Sequence, residues 1–315
     1  MSRTLREFQQ HSVQPSFRCS SAVREENEIM KTDNVVIEAK GITKRFEEFE
    51  AVRDVDVTVY EGEIFGFLGP NGAGKTTTIR MLTTITPPSS GTISIDGHDI
   101  VTSAINAKRA IGISQQHISL DKEISVRDNI RHHAMLHKIP KKEIVKRIEE
   151  IGGMMGLDPF LDREVEELSG GWKRKASIIS SMIHYPKVLF LDEPTAGLDT
   201  QSRHMLWDFI RELNNTGMTI FLTTHYIEEA EDLCDRVAIM NKGKIVATDS
   251  PKELCRSIGS STVEIMNNRR KASMHFPDRA SAKEFIGTLS EDTPATLRRT
   301  TLEDVFLKLT GEGLE

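Results

Sequence analysis

The run Gly69-Pro70-Asn71-Gly72-Ala73-Gly74-Lys75-Thr76 constrains this chain more than any other stretch. It fits G-x-x-x-x-G-K-[ST], follows the apolar stretch 64–68 and precedes a helix-like stretch, 77–82. The pattern therefore predicts a strand, a tight loop and a helix in that order. Glycines let the main chain wrap closely round a polyphosphate, loop amides and the helix N-terminus supply partial positive charge, and Lys75 adds a full one. The hydroxyl of Thr76 suits Mg²⁺, and Thr77 continues the phosphate-facing turn.

Around this loop, short β-branched runs at 35–37, 55–60, 188–191, 219–222, 237–240 and 244–247, with 92–95, alternate with helical segments. Such alternation predicts an α/β fold with a mostly parallel sheet covered by helices. Between Ser125 and His184 the strand signal stops. Ser125 and Asp128 there make a capping box and 141–151 has a helical period, so a helical insertion over about 117–186 is expected. After Asp249, Ser250 caps a helix, Pro251 occupies its first turn and Glu253 reaches back. Two short strands (262–266 and 272–276), a helix near 281–289 and a capped last helix at 301–309 complete a small α+β tail. The organisation expected is an extension without periodicity (1–33), with Met30 as an alternative start, a nucleotide-binding domain (34–249) and an accessory domain (250–315).

Composition bounds the partners. With 41 Lys+Arg against 47 Asp+Glu the net charge is -6, whereas a generic nucleic-acid binder is basic. No apolar run approaches the roughly 20 residues of a membrane span. Cys19, Cys234 and Cys255 show no metal or disulfide spacing, which fits a reducing compartment, and no secretory signal precedes them.

The apolar run 188–191 ends in Asp192-Glu193, which delivers two carboxylates to the carboxyl edge of a sheet. Asp192 suits a Mg²⁺ contact, and Glu193 could orient and polarise an attacking water. Loop and carboxylates together define a phosphate-loop NTPase. A third element narrows this: Leu168-Ser169-Gly170-Gly171 precedes the helical stretch 172–183, as an anion-binding helix start.

In these motifs and their order the chain resembles the ATP-binding cassette (ABC) family, whose signature is Leu-Ser-Gly-Gly-Gln, over about 215 residues. The resemblance implies a phosphate-loop core with a helical insertion subdomain, an antiparallel β portion and a small C-terminal α+β tail, and it implies further roles. Phe46 matches the aromatic that stacks on adenine, the other reading being a core Phe of an ordinary strand. Gln116, rather than its neighbour Gln115, matches the glutamine that touches Mg²⁺ and the attacking water. Residues 196–199, ending in Asp199, look like the segment that crosses a dimer interface, and His225 matches the γ-phosphate switch histidine. Leu168, Ser169, Gly170, Gly171 and Trp172 would serve the ATP of a partner subunit. Trp172 departs from the family pattern, placing an indole where glutamine is usual. Lys173-Arg174-Lys175 reads as a solvated helix face.

The ending of the chain, Thr301-Leu302-Glu303-Asp304-Val305-Phe306-Leu307-Lys308-Leu309-Thr310-Gly311, is similar to exporter ATP-binding subunits of the daunorubicin-resistance type. From the residues alone, Leu302, Val305, Phe306 and Leu309 give one apolar helix stripe. The implied function is a peripheral ATPase at the cytoplasmic face of the cell membrane. Two copies, or one copy and a paralogue, would close round two Mg·ATP and drive export through a separate permease, with no nucleic acid involved. A soluble cassette acting in DNA repair or on ribosomes is the alternative, and a nucleotide-binding regulator without turnover is a third reading.

Overall fold

The computed structural model describes residues 34–267, 270–290 and 293–311. The expectations attached to residues 1–33, Met30 and Cys19 lie outside the described residues. The central sheet has six strands in the order β10-β9-β3-β8-β7-β6. These are β3 (Ile64–Leu68), β6 (Ile111–Ser114), β7 (Val188–Asp192), β8 (Thr219–Thr224), β9 (Arg236–Asn241) and β10 (Lys244–Asp249). All neighbours are parallel except β10, which returns antiparallel along β9.

The near-continuous apolar runs of β3, β7 and β8 follow from burial on both faces. Phe65, Phe67, Phe190 and Phe221 face one way, with Phe67 and Phe221 ring centroids 4.9 Å apart. Ile64, Leu68, Leu189, Leu191, Ile220 and Leu222 face the other. Against the phenylalanine face pack α1 (Lys75–Leu82) and a second sheet of four strands, β2-β1-β4-β5. This sheet comprises β1 (Val35–Phe46), β2 (Phe49–Tyr60), β4 (Ser90–Ile95) and β5 (His98–Asp99), and it is antiparallel throughout. The runs 35–37, 55–60 and 92–95 therefore make the antiparallel portion that the resemblance implies, and do not join the parallel sheet that their alternation alone suggested. For β1 and β2 the cause is connection length: they are joined through Glu47 and Glu48, with Glu47 at φ 51°, and a two-residue turn permits only antiparallel pairing. Helix α2 (Ala104–Arg109) leads from this sheet into β6.

The opposite face is covered by α5 (Gly170–Met182), α6 (Thr200–Asn215) and α7 (Ile227–Leu233). Helices α3 (Val126–Leu136) and α4 (Lys141–Met154) extend that layer where the sequence predicts the insertion, packing Ile130, Ile144, Ile148 and Ile151 inward. Ser125 accepts the Asp128 amide at 3.0 Å, but the Asp128 carboxylate takes the Ser125 hydroxyl at 2.9 Å and not its amide. The expected capping box is thus closed between side chains.

The tail begins with α8 (Pro251–Ile258), capped by Ser250 at 3.2 Å. Glu253 does not reach back: its carboxylate takes Arg256, and the Ser250 amide goes to Asp249 at 2.7 Å. A three-stranded sheet, β12-β11-β13, follows, made of β11 (Ser261–Asn267), β12 (Arg270–Phe276) and β13 (Ala295–Arg299), with α9 (Arg279–Gly287) connecting. Strand β13 is absent from the sequence expectation because Ala-Thr-Leu-Arg-Arg carries little apolar alternation. The last helix, α10 (Leu302–Thr310), opens on a full capping box between Thr301 and Asp304, and Arg298 donates to both Asp304 oxygens at 2.6 and 2.8 Å. Leu302, Val305 and Phe306 are buried, whereas Leu309, expected in the same stripe, is 43% exposed.

Candidate functional site

Four adjacent parallel strands, β3, β8, β7 and β6, bring their carboxyl ends to one edge. Leu68 is level with Thr224, Thr223 with Asp192, and Leu191 with Ser114. The next residues on each strand are therefore neighbours: the 69–76 loop, His225, Asp192 with Glu193, and Gln116. Sequence separations of 31 to 116 residues collapse into hydrogen-bond distances because parallel register aligns the strand ends.

The loop needs its glycines for space as well as for turn geometry. A Cβ on Gly69 would stand 2.3 Å from the Met240 carbonyl, and one on Gly74, at φ 108°, would meet the Ala51 carbonyl at 2.7 Å. No side chain caps α1 and no acid sits in its first turn, so the amides there suit phosphate oxygens. Lys75 is buried, with Nζ donating to the carbonyls of Gly69 at 2.7 Å and Pro70 at 3.1 Å. Burial pulls its ammonium below the usual lysine range, against the attraction of Glu193 and Asp192. Ala73 is buried in the loop floor, while Asn71, Gly72 and Thr76 face outward and Pro70 and Thr77 are half-buried.

Asp192 Oδ1 accepts from Thr223 Oγ1 at 2.6 Å and from Thr76 Oγ1 at 3.4 Å. Carboxylate and hydroxyl thus stand where a hard cation could share them, and the oxygen donors fit Mg²⁺. Glu193 is the centre of the cluster. Its Oε1 lies 3.6 Å from Lys75 Nζ, its Oε2 accepts from Gln116 Nε2 at 3.1 Å, and His225 Nδ1 stands 3.4 Å from the same Oε2. Among the described residues His225 Nδ1 has no hydrogen bond of good geometry, so it can turn to another acceptor. Glu193 adopts φ 47°, a left-handed conformation uncommon for a residue with a side chain, and its amide is held by Thr223 O and Oγ1 at 3.2 and 3.1 Å.

Lys75, Thr76, Gln116, Asp192, Glu193 and His225 are therefore brought together, and the signature residues are not. Leu168 is buried, Ser169 and Gly170 are exposed at the N-terminus of α5, and among the described residues no hydrogen bond joins 168–172 to the cluster. Trp172 lies on Phe160, with centroids 4.2 Å apart, and under Lys175 Nζ. Asp199 caps α6, accepting the Ser202 amide at 2.9 Å. Phe46 is half exposed at the tip of the β1–β2 hairpin, which removes the reading as a core residue.

The basic run departs most from expectation. Arg174 is 4% exposed and Lys175 8%, because α5 is packed on nearly every side and their heads must find partners inside. Lys175 lies over the Phe209 and Trp172 rings, while Arg174 donates to the carbonyls of Gln115 and Gln116, each at 2.6 Å. Arg174 and Thr223 touch site residues and carried no sequence signal. Only the buried setting distinguishes them from other charged or β-branched residues.

The ABC transporter family profile matches residues 52–196. The daunorubicin resistance ATP-binding protein DrrA3 of Streptomyces coeruleorubidus is 34% identical, with 89% of this chain and 97% of that one aligned. The Nod factor export ATP-binding protein I of Cupriavidus metallidurans is 35% identical over 89% and 98%. Among solved structures, cbiO1 from Clostridium perfringens, part of the ABC transporter complex cbiONQ, superposes with a TM-score of 0.66 at 29% identity, covering 70% of this chain and 91% of that one.

Proposed function

The chain belongs to the ABC transporter family of ATP-binding, ATP-hydrolysing proteins that use Mg²⁺, and from that membership we propose that it is the ATPase subunit of an exporter. Residues 34–249 form the cassette and 250–315 an accessory domain. Two copies, or this chain and a paralogue, close round two Mg·ATP at the cytoplasmic face of the membrane and drive a drug-like or other substrate outward through a separate permease. The single observation that carries this reading is the convergence of Lys75, Gln116 and His225 on the Glu193 carboxylate.

In this reading Phe46 stacks on adenine, and residues Gly69 to Thr77 hold the phosphates through loop amides and Lys75. Thr76, Gln116 and Asp192 would hold Mg²⁺, which would supply charge neutralisation on the phosphates. Glu193 orients a water and accepts its proton, with Gln116 fixing the carboxylate that does so. The water oxygen bonds to the γ-phosphorus, the bond to the β-bridging oxygen breaks, and ADP and phosphate leave. His225 turns from Glu193 towards the γ-phosphate. The turn Leu168, Ser169, Gly170, Gly171 and Trp172, exposed at Ser169 and Gly170, reaches the partner's nucleotide, and Asp199 lies at the interface between copies. Trp172 offers only an N–H in place of an amide, so Ser169 and the two glycines carry the phosphate contact.

The relatives named for Nod factor export and daunorubicin resistance support the outward direction. A groove of about 520 Å³, lined by Ile85, Lys108, His133 and His137 among others, offers a seat for a cytoplasmic segment of the permease. Among the described residues no helix is long and apolar enough to cross a membrane. Glu193→Gln tests the catalytic reading. Hydrolysis is expected to fall by roughly 100-fold or more while ATP binding persists and an ATP-dependent dimer accumulates in size-exclusion chromatography; retained turnover without such a dimer would sink it.

A further inference from the structure

The basic run 173–175 contains a buried cation that the ATPase reading leaves without a task. Arg174 sits on α5, five residues after Ser169, and reaches across to the segment that follows β6. Its Nη1 and Nη2 donate to consecutive main-chain carbonyls, Gln115 O and Gln116 O, at 2.6 Å each. A guanidinium is a planar fork whose paired donors fix direction as well as distance, and a lysine ammonium cannot reproduce that. Gln116 in turn donates from Nε2 to Glu193 at 3.1 Å, although its residue is otherwise exposed. An exposed glutamine has ample rotamer freedom, so something must hold its main chain for that bond to recur. Burying a guanidinium is costly unless its donors are used, and here two carbonyls use Nη1 and Nη2, while Nε has no hydrogen-bond partner among the described residues. Burial lowers the pKa of the group, and the nearby charge of Asp192 opposes that.

Resting on the proposed roles of Gln116 and Glu193, we propose that Arg174 is a positioning residue for hydrolysis. It clamps the Gln115–Gln116 main chain and thereby aims the Gln116 amide at Glu193. The same rigid helix carries Ser169 and Gly171 at its start, so the clamp ties the signature turn to the water-activating group of its own subunit.

The test uses the full chain and steady-state hydrolysis of Mg·ATP. Arg174→Met keeps most of the buried volume and removes the donors. It is expected to lower kcat about tenfold, with KM for ATP changed less than about twofold because the phosphate loop is untouched. Arg174→Lys, with one rotatable head for two carbonyls, falls between and serves if the methionine variant does not fold. The discriminating measurement is a cycle with Gln116→Ala: if Arg174 acts through Gln116, adding Arg174→Met to that background costs less than about twofold more. Wild-type kcat in a folded Arg174→Met, or losses that multiply in the double variant, overturns the role of Arg174. Glu193→Gln run alongside separates the two readings. Full turnover there overturns the site assignment and this role with it, whereas loss there beside wild-type turnover in Arg174→Met overturns this role alone.

Discussion

Glu193 owes its place to main-chain conformation as much as to its partners. At φ 47° its side chain leaves the end of β7 in a direction an extended residue would not give, and the two bonds from its amide to Thr223 hold it there. A second residue, His184, shows what burial does to a titratable group. Its Nε2 contacts the Ile111 carbonyl at 2.9 Å, its ring stacks on His137 with centroids 3.7 Å apart, and burial, then His137, drives its pKa down to about 4. The unfolded chain titrates near 6.5, so between about 6.5 and 4 the unfolded state binds the proton that the folded state refuses. Stability is therefore full above about pH 6.5 and is lost as pH falls towards 4, by up to about 3 kcal/mol from this residue. Denaturant titrations at several pH values check this; His184→Gln should flatten the slope, and an unchanged slope would refute it. At this scale the sequence was legible where chemistry is carried by a motif, as at Lys75 and Asp192. It was misleading at Arg174, because a charged residue on a helix reads the same whether that helix face is wet or buried.

Helix α10 shows how much of an element local signals can set. Its start is written in Thr301-x-x-Asp304, and the structure closes that box with Arg298 added from β13. Its apolar stripe is legible too, but only Leu302, Val305 and Phe306 meet α7, α8 and the core, because the helix runs past its neighbours before Leu309. Phe306→Ala should therefore cost about 3–5 kcal/mol in chemical denaturation, whereas Leu309→Ala should stay within about 0.5 kcal/mol. Equal costs would mean that the helix packs differently. The box at Ser250 shows the opposite case: Glu253 had a nearer cation in Arg256, and that pairing displaced the expected bond. A capping box thus competes with other charges in its own first turns, here Asp249 and Arg256, and the spacing of the box by itself does not say which pairing wins.

For the whole molecule, the exposed apolar side chains matter as much as the buried ones. Ile105 and Leu136, 70% and 79% exposed, neighbour the groove residues Lys108 and His137 in sequence, and such side chains near a groove suit a partner surface. If the proposed permease docks there, combining Ile105→Asp with Leu136→Asp should release the protein from membranes that contain that permease, while hydrolysis by the purified protein stays within about twofold. Undiminished membrane association would remove the groove as the seat. By itself the sequence determined the strand–loop–helix of the phosphate site, the two carboxylates, the helical insertion and the apolar faces, because these depend on residues close together in the chain and on periods of two and 3.6. Tertiary structure alone decided which segments, 35–60 and 90–99, make up the antiparallel sheet and that β3, β8, β7 and β6 stand side by side. It also decided that Gln116 and His225 meet one oxygen of Glu193 and that Arg174 is buried behind Gln116. Strand order and register arise from pairing between distant segments, which no local pattern records, and the site is built from that register.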